Sequence, residues 1–223
     1  MKADFWLSKW QKNEIGFHLP KPHPWLVAYL PKFSLSTASS VFVPLCGKSL
    51  DIDYLLEQGH TVIGNELSED AVQEVFDRLK LKPNVSTWEG GACYAANKLT
   101  IYVGDYFKLK SQHLPTIELV YDRAAIIALP EDMRVQYVQQ LNKLCPNAIR
   151  CLITLEYDQS IMSGPPFSVS EKEVETHFAG DFKIEQLKRD DIIEHEAKFK
   201  QNGLPELLQC LYCLTPKSKP YGS

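Results

Sequence analysis

The sequence predicts an α/β fold with a mainly parallel sheet, and three observations support this prediction. From residue 41 onward, apolar runs typical of buried strands alternate with longer amphipathic segments typical of helices. A tight turn with a single glycine, Gly47, follows the first apolar run, and an acidic residue, Glu66, ends the second. This alternation predicts parallel neighbouring strands with helices on both faces of the sheet.

The N-terminal part of the chain, residues 1–30, is rich in aromatic side chains and is interrupted by prolines at 20, 22 and 24. Because proline breaks a helix interior, one continuous helix is excluded. Two short helices are expected instead, over residues 4–12 and 23–30, followed by a Ser/Thr-rich linker over 34–40. We expect a single domain over residues 1–223, with an N-terminal lid segment (1–33) and an α/β core (41–215).

The core elements follow from the same patterns. The predicted strands are 41–45, 61–66, 99–104, 117–121, 149–157, 182–188 and 206–214. The predicted helices are 49–58, 69–80, 131–144 and 171–179. Ser68 is expected to cap the second of these helices, and Ser170 with Glu173 forms a capping-box pattern for the last. No convincing helix separates the last two strands, so they are expected to pair as a hairpin and to place one antiparallel strand in a seven-stranded sheet.

Composition narrows the classes of function. The net charge is −4 and the pI is near 5.9, whereas nucleic-acid-binding proteins usually carry a basic stripe, so no nucleic-acid partner is expected. No apolar run is long enough to span a membrane, and no signal peptide is recognised. The six cysteines are scattered, mostly among apolar residues, and are expected to be free thiols. We therefore expect a cytoplasmic protein. A monomer is also expected.

The first turn and the acid one strand later predict a nucleoside site. Gly47 lets the backbone approach a ligand closely, and Glu66, 19 positions later, can accept hydrogen bonds from the two hydroxyls of a ribose. A dinucleotide fold uses about three glycines to hold a pyrophosphate, and this turn has one. A P-loop is disfavoured because that motif has a glycine five positions before its Gly-Lys pair, and Phe42 occupies this position here. The pattern favours an adenosine without phosphates, of which S-adenosylmethionine is the common example. The alternatives are a plain turn and a solvated strand-end carboxylate.

Two further strand ends carry candidate ligand contacts, because the carboxyl ends of parallel strands face the ligand crevice. Asp105 can bond an adenine amino group, and the neighbouring Tyr106 can stack on the ring; an Asx turn with core aromatics is the equally weighted alternative. Arg123 can direct its planar guanidinium at an anionic or electron-rich group. The alternative interpretation is that Arg123 only forms a local ion pair with Asp122.

Other motifs predict less. Trp6, Trp10 and Phe17 could form a lid, although aromatic residues at this spacing more often belong to a core. The loop 163–167 shapes an acceptor pocket or only turns the chain. No metal site is expected, because Cys210 and Cys213 lie within a strand-like run and point to opposite faces, and the sequence places no carboxylate at metal-ligand spacing from His18 and His23.

The chain resembles the thiopurine S-methyltransferases, including their bacterial members, across almost its whole length. The resemblance rests first on the motifs Trp6-x-x-x-Trp10, Gly16-Phe17-His18 and Phe42-Val-Pro-Leu-Cys-Gly-Lys48. The others are Gly59-His60-x-Val62-x-Gly64-x-Glu66-Leu-Ser68, Tyr121-Asp-Arg-Ala-Ala125 and Gly164-Pro-Pro-Phe167. The joint spacing is specific, whereas no single motif would suffice.

The resemblance implies a class I, Rossmann-like fold, S-adenosylmethionine as methyl donor and a small aromatic or heterocyclic thiol as acceptor, with tellurite or selenite as further acceptors. By position it implies cofactor contacts at Trp10, Leu45, Gly47, Glu66, Asp105, Tyr106 and Arg123. It implies acceptor contacts at Phe17 and Arg123. Ala124 departs from the Asp-Arg-Gly-Ala of some relatives, which narrows the space beside Arg123.

The expected mechanism is direct in-line transfer of a methyl group from a sulfonium to a thiolate-like acceptor. Alignment of the two reactants is then the main task of the protein, and no catalytic nucleophile or obligatory general base is assigned. Two alternatives remain open at this stage. A nicotinamide-dependent oxidoreductase would use a similar fold but needs pyrophosphate contacts, and a non-catalytic module would bind S-adenosylmethionine without turnover.

Overall fold

The structure is a computed structural model that describes residues 3–12, 14, 16 and 18–217. Its α-helices are α1 (Ala3–Gln11), α2 (Pro24–Tyr29), α3 (Asp51–Glu57), α4 (Glu69–Arg78), α5 (Glu131–Leu144), α6 (Glu171–Phe178) and α7 (Ala197–Gln201). Its strands are β1 (Ser40–Val43), β2 (Thr61–Glu66), β3 (Asn84–Trp88), β4 (Gly91–Ala96), β5 (Leu99–Gly104), β6 (Leu119–Arg123), β7 (Ile149–Glu156), β8 (Phe182–Asp191) and β9 (Leu208–Pro216). None of the described helices is long and apolar enough to cross a membrane.

The chain divides into two compact units. The first comprises the described residues up to Tyr121 together with Lys143–Cys145, and the second comprises Asp122–Asn142 and the described residues from Pro146 onward. Strand β6 runs from the first unit into the second.

The first unit contains the predicted parallel strands in the order β5, β2, β1, β6. Residues of these strands and of helices α3 and α4 fill its core, among them Val41, Phe42, Ile52, Leu55, Val62, Val72 and Phe76. Helix α4 begins where expected, because Ser68 Oγ accepts a hydrogen bond from the Ala71 N–H at 3.3 Å. Its buried residues recur three and four positions apart, which places them on one face.

The second unit contains the predicted hairpin. Strand β9 pairs antiparallel with β8 and also with β7, as expected for the antiparallel strand near the C-terminus. Helix α6 is capped by Ser170 Oγ, which accepts from the Glu173 N–H at 3.3 Å. The core includes Arg150, which is 1% exposed and whose guanidinium carbon lies 4.2 Å from the centroid of the Phe182 ring.

The predicted strand count of seven is wrong, because the described residues form nine strands. The two additional strands are β3 and β4, which pair antiparallel and extend the first unit beyond β5. Four of the five residues of β3 are exposed, so this strand lacks the apolar alternation that signals burial. Helix α7 was also missed, because it buries only Phe199 among charged and polar neighbours.

Candidate functional site

The turn after β1 has an unusual backbone. Leu45 has φ +47° and Gly47 has φ +52°, so two residues of one short turn occupy the left-handed region. Glycine adopts this conformation readily, whereas a bulky residue such as leucine does so rarely and at a cost. Between them, the Cys46 N–H donates to the Asn65 carbonyl at 2.8 Å and ties the turn to β2. Strained backbone of this kind is concentrated at functional sites.

The Glu66 carboxylate joins this turn to the end of β2. Its Oε2 accepts from the Gly47 N–H at 2.9 Å, and its Oε1 accepts from the Ser68 N–H at 2.8 Å. Glu66 is only 6% exposed, so it is not a solvated strand-end charge. The structure therefore brings together the two residues that the sequence pattern singled out.

Two opposing effects act on the ionisation of Glu66. Burial raises its pKa above the ordinary value, because a charged carboxylate loses its hydration. The N–H groups of Ser68, Gly47 and Leu67 and the Trp10 side chain donate to the carboxylate and lower its pKa, but burial prevails. A carboxylate held by several donors in a buried position has a fixed orientation, which suits a recognition group.

Trp10 of α1 lies on the same turn. A Cβ atom added to Gly47 would lie 3.0 Å from Cζ2 of the Trp10 ring, closer than ordinary van der Waals contact, so the indole packs tightly on the glycine backbone. The Lys48 ammonium lies 5.8 Å from the centroid of the same ring. Trp10, Leu45, Gly47 and Glu66, four of the predicted cofactor contacts, therefore lie in one cluster or its supporting turn.

Asp105 and Tyr106 follow β5 in the first unit. Asp105 is exposed, and its Oδ1 accepts from the Phe107 N–H at 2.9 Å, which is the Asx-turn geometry weighed as the alternative. Tyr106 is buried, at 4% exposure, and opens the short 3-10 helix Tyr106–Lys108. Their roles in adenine recognition stay predictions.

Sequence reasoning missed Asn65. Its side-chain nitrogen Nδ2 donates to the carbonyl oxygens of Tyr102 at 2.9 Å and Gly104 at 3.1 Å, and the residue is fully buried. The only signal in the sequence is an uncharged polar residue between the apolar part of a strand and its terminal acid.

Arg123 ends β6 and belongs to the second unit, where it is half-buried. The preceding Asp122 is buried; its Oδ1 accepts from the Ile126 N–H at 3.1 Å and its Oδ2 from the Tyr137 hydroxyl at 2.7 Å. Burial raises the pKa of Asp122, although these bonds and the Arg150 charge act against it. Asp122 thus fixes the backbone that follows Arg123.

The loop 163–167 is attached to the same part of the second unit. The Phe167 N–H donates to the Ile127 carbonyl at 2.6 Å, four residues beyond Arg123. The Tyr157 hydroxyl donates to the Pro166 carbonyl. The predicted acceptor contact Phe17 lies outside the described residues. Over the part of the chain that is described, no group of three or more His, Cys, Asp or Glu side chains could hold a metal ion.

Comparison with known proteins decides the family. The family model described as Thiopurine S-methyltransferase matches residues 1–217. A thiopurine S-methyltransferase of Shewanella pealeana is 43% identical over 218 residues, which cover 97% of this chain and 100% of the relative. One of Pseudomonas paraeruginosa is 42% identical over 215 residues, which cover 96% of this chain and 99% of the relative. The chain belongs to the thiopurine S-methyltransferase family.

Membership in this family confirms the resemblance drawn from the sequence motifs. It also confirms the prediction of a methyltransferase that uses S-adenosylmethionine as methyl donor.

Two solved structures confirm the class I fold. A SAM-dependent methyltransferase from Anabaena variabilis has a TM-score of 0.64 at 15% identity, covering 96% of this chain and 95% of that chain. A 1,6-didemethyltoxoflavin-N1-methyltransferase of Burkholderia thailandensis has a TM-score of 0.62 at 15% identity, covering 96% of this chain and 87% of that chain. Such low identity speaks for the fold alone.

Proposed function

We propose that this thiopurine S-methyltransferase family member methylates the sulfur of aromatic or heterocyclic thiols, such as thiopurines, by direct in-line transfer. The observation that carries the donor half of the proposal is the buried Glu66 carboxylate, held by the Gly47 and Ser68 N–H groups at a turn with one glycine. The proposed acceptors are thiopurines and other thiols. Tellurite and selenite are proposed as secondary acceptors.

The residues of this cluster fit an adenosine-bearing ligand. A carboxylate accepts about four hydrogen bonds, and the backbone N–H groups of Gly47, Ser68 and Leu67 already donate to Glu66. The Trp10 side chain donates to the same carboxylate. We propose that a ribose hydroxyl replaces the Trp10 donor, which leaves Trp10 beside the bound ligand. Leu45 and Gly47 would support it through the strained turn, and Asp105 with Tyr106 would flank the adenine.

S-adenosylmethionine supplies a methyl group already activated on a sulfonium. The protein therefore has to hold the two reactants in line and to exclude water, and such alignment contributes roughly 7–11 kcal/mol in well-oriented systems. We propose that the Arg123 guanidinium favours the ionised form of the acceptor thiol by its charge. Phe17 and the loop 163–167 are proposed to contact the acceptor. No group of the chain needs to form a covalent intermediate.

The proposal includes the setting of the reaction. A small-molecule acceptor suits a chain with net charge −4, which offers little attraction to nucleic acid. All six cysteines lie in the described residues and are free thiols, which suits a reducing compartment such as the cytoplasm. We propose that the protein acts as a monomer.

The first experiment measures binding and turnover of the unmodified protein. Calorimetry with S-adenosylhomocysteine and with NAD is followed by an assay with labelled S-adenosylmethionine and a panel of thiopurine, thiophenol, tellurite and selenite. Donor-product binding and methylation of the thiols are expected. Binding of S-adenosylhomocysteine with no methylated acceptor across the panel would indicate a non-catalytic module. Binding of NAD alone would contradict the methyl-transfer proposal.

Arg123→Ala tests the acceptor half of the proposal. We expect kcat/KM for a thiol acceptor to fall about 100-fold, the scale of one lost stabilising donor, while the melting temperature changes little. Because the lost positive charge no longer favours the thiolate, the midpoint of the rate against pH moves to higher pH. Steady-state kinetics over a pH series measure both effects.

The matched control is Arg189→Ala, which removes a half-exposed arginine whose Nη2 lies 3.5 Å from Glu156 in the same unit. Its kinetics should equal those of the unmodified protein. An unchanged pH midpoint in Arg123→Ala, or a loss of activity that follows a loss of thermal stability, would show that Arg123 is structural.

A further inference from the structure

Asn65 connects three segments of the candidate donor site. Its main-chain carbonyl accepts from Cys46 in the first turn, its neighbour Glu66 carries the proposed ribose contact, and its side-chain amide binds the end of β5. All of these residues belong to the first unit.

The orientation of the Asn65 amide follows from chemistry. Two carbonyl oxygens, those of Tyr102 and Gly104, lie within 3.1 Å of one terminal atom, and carbonyl oxygens can only accept. That atom must be the nitrogen, which has two N–H donors. Asparagine is the shortest side chain that offers two donors from a single atom, so serine, aspartate or an aliphatic residue cannot reproduce this bridge.

The bridge lies at the point where β5 separates from β2. Strand pairing between β2 and β5 ends at Glu66 and Val103, and the next residue, Gly104, has φ +135°, a conformation that residues with side chains rarely adopt. Asp105 follows directly. Gly104 pairs with Gly91 of β4 on one side, and the Asn65 amide attaches it to β2 on the other side. The bond from Asn65 is therefore the one that relates the Asp105–Tyr106 segment to the end of β2.

Stability alone does not explain this asparagine. It is fully buried, and among the described residues its Oδ1 has no hydrogen-bond partner. A buried oxygen without a partner costs free energy, so the amide combines two favourable bonds with one unfavourable group. An aliphatic residue of the same shape avoids that cost but cannot hold the carbonyl of Gly104.

We propose that Asn65 is a positioning residue for the donor site. Its amide fixes the Asp105–Tyr106 segment relative to the Glu66 carboxylate and thereby determines how tightly the adenosine part of the donor is bound. This inference rests on the proposed function and deepens it.

Asn65→Leu tests the proposal, because leucine has nearly the same branched shape without hydrogen-bond donors. Amide hydrogen exchange of residues 105–109 is expected to become faster. Affinity for S-adenosylhomocysteine is expected to fall about tenfold, with a matching rise in KM for the donor, because the loss of one or two buried hydrogen bonds has that scale. The kcat at saturating donor and the KM for the thiol should change less than twofold.

Val62→Ala is the matched control, since it removes buried volume from the same strand but lies away from the bridge. It is expected to lower the melting temperature without changing exchange at 105–109 or donor affinity. If Asn65→Leu does not fold, Asn65→Ser takes its place, with the same expectations. Unchanged donor affinity in the Asn65 variant, or an equal loss in Val62→Ala, would overturn the proposal.

Failure of this inference is distinguishable from failure of the proposed function. If the unmodified protein does not bind S-adenosylhomocysteine, the proposed function fails and the inference fails with it. If the unmodified protein binds and turns over but the Asn65 variant is equally competent, only the positioning role is wrong. Hydrogen exchange reports on the bridge in either case.

Discussion

The side chain of Glu66 is held in place by hydrogen bonds from two neighbouring segments. The Gly47 N–H in the first turn donates to one of its oxygens at 2.9 Å, and the Ser68 N–H before α4 donates to the other at 2.8 Å. Burial nevertheless keeps its pKa above the ordinary 4.5. The same carboxylate is therefore well oriented and costly to ionise, and the two properties have separate consequences for binding and for stability.

Acidification should weaken donor binding and relieve a cost to folding at the same time. The folded carboxyl has the higher pKa, so as pH falls the folded state takes up a proton before the unfolded state does, and the contribution of Glu66 to the free energy of unfolding rises until about the ordinary pKa of 4.5. Over that window the protonated group becomes a poorer acceptor, so donor affinity falls.

Glu66→Gln removes the titration. It should weaken donor binding at neutral pH by about 1–3 kcal/mol, and it should abolish this part of the pH dependence of both quantities. Calorimetry and urea unfolding between about pH 8 and pH 5 measure the difference between the two proteins. Identical pH dependence of donor affinity in both would remove Glu66 from the donor site.

Ala124 has φ +64°, a left-handed conformation that costs a residue with a side chain about 1–2 kcal/mol. Ala124→Gly relieves this cost, and the greater freedom of glycine in the unfolded chain offsets part of the gain. We expect a net stabilisation of about 0.5–1 kcal/mol in urea unfolding. The control, Ala125→Gly, lies one residue later at φ −87° and should instead destabilise. Destabilisation by both substitutions would contradict the strain at Ala124.

At the scale of the elements, one ion pair joins α5 to α6. Arg134 is 4% exposed, and its Nε and Nη2 donate to the two oxygens of Glu173 at 2.6 and 3.0 Å. Its Nη1 donates to the Leu129 carbonyl at 2.9 Å, and His177 Nε2 lies 3.2 Å from Glu173 Oε1. Burial raises the pKa of Glu173, but the hydrogen bonds and charges of His177 and Arg134 outweigh it and lower the pKa overall.

Glu173→Gln should destabilise the protein by about 3 kcal/mol at neutral pH, because it leaves a buried arginine without its counter-charge. The pKa of Glu173 is depressed on folding, so its contribution is present above the unfolded pKa and is lost as pH falls through the folded pKa. The difference between variant and unmodified protein should therefore shrink in acid. Urea unfolding at neutral and at acidic pH measures this difference. The control is Glu175→Gln, which changes an exposed residue on the same helix. A difference that does not depend on pH would contradict the charge argument.

The elements also show what sequence patterns can and cannot predict. Every predicted helix and strand is present within a few residues of its expected ends, and most of these elements bury an apolar face against the core. Strands β3 and β4 were not predictable in this way, since β3 is held mainly by backbone pairing and is exposed to solvent. Helix α7 is too short for a periodic pattern.

At the scale of the whole molecule, the alternation of strand and helix patterns predicted the fold class. Two residues, Gly47 and Glu66, predicted the core of the candidate site. Their spacing worked because a βαβ unit brings the first turn and the end of the second strand together, and Gly47 and Glu66 are indeed hydrogen-bonded. The Asn65 bridge depends on how the ends of two strands meet, which no local pattern records.

The first turn also contains a thiol, Cys46, next to Gly47. An enzyme that methylates sulfur carries a risk of modifying itself, because a thiolate is the reactive form of cysteine. Burial, followed by the negative charge of Glu66, raises the pKa of Cys46 well above its ordinary value and keeps the sulfur protonated. The acid proposed to recruit the alkylating reagent thus also protects the nearest cysteine from it.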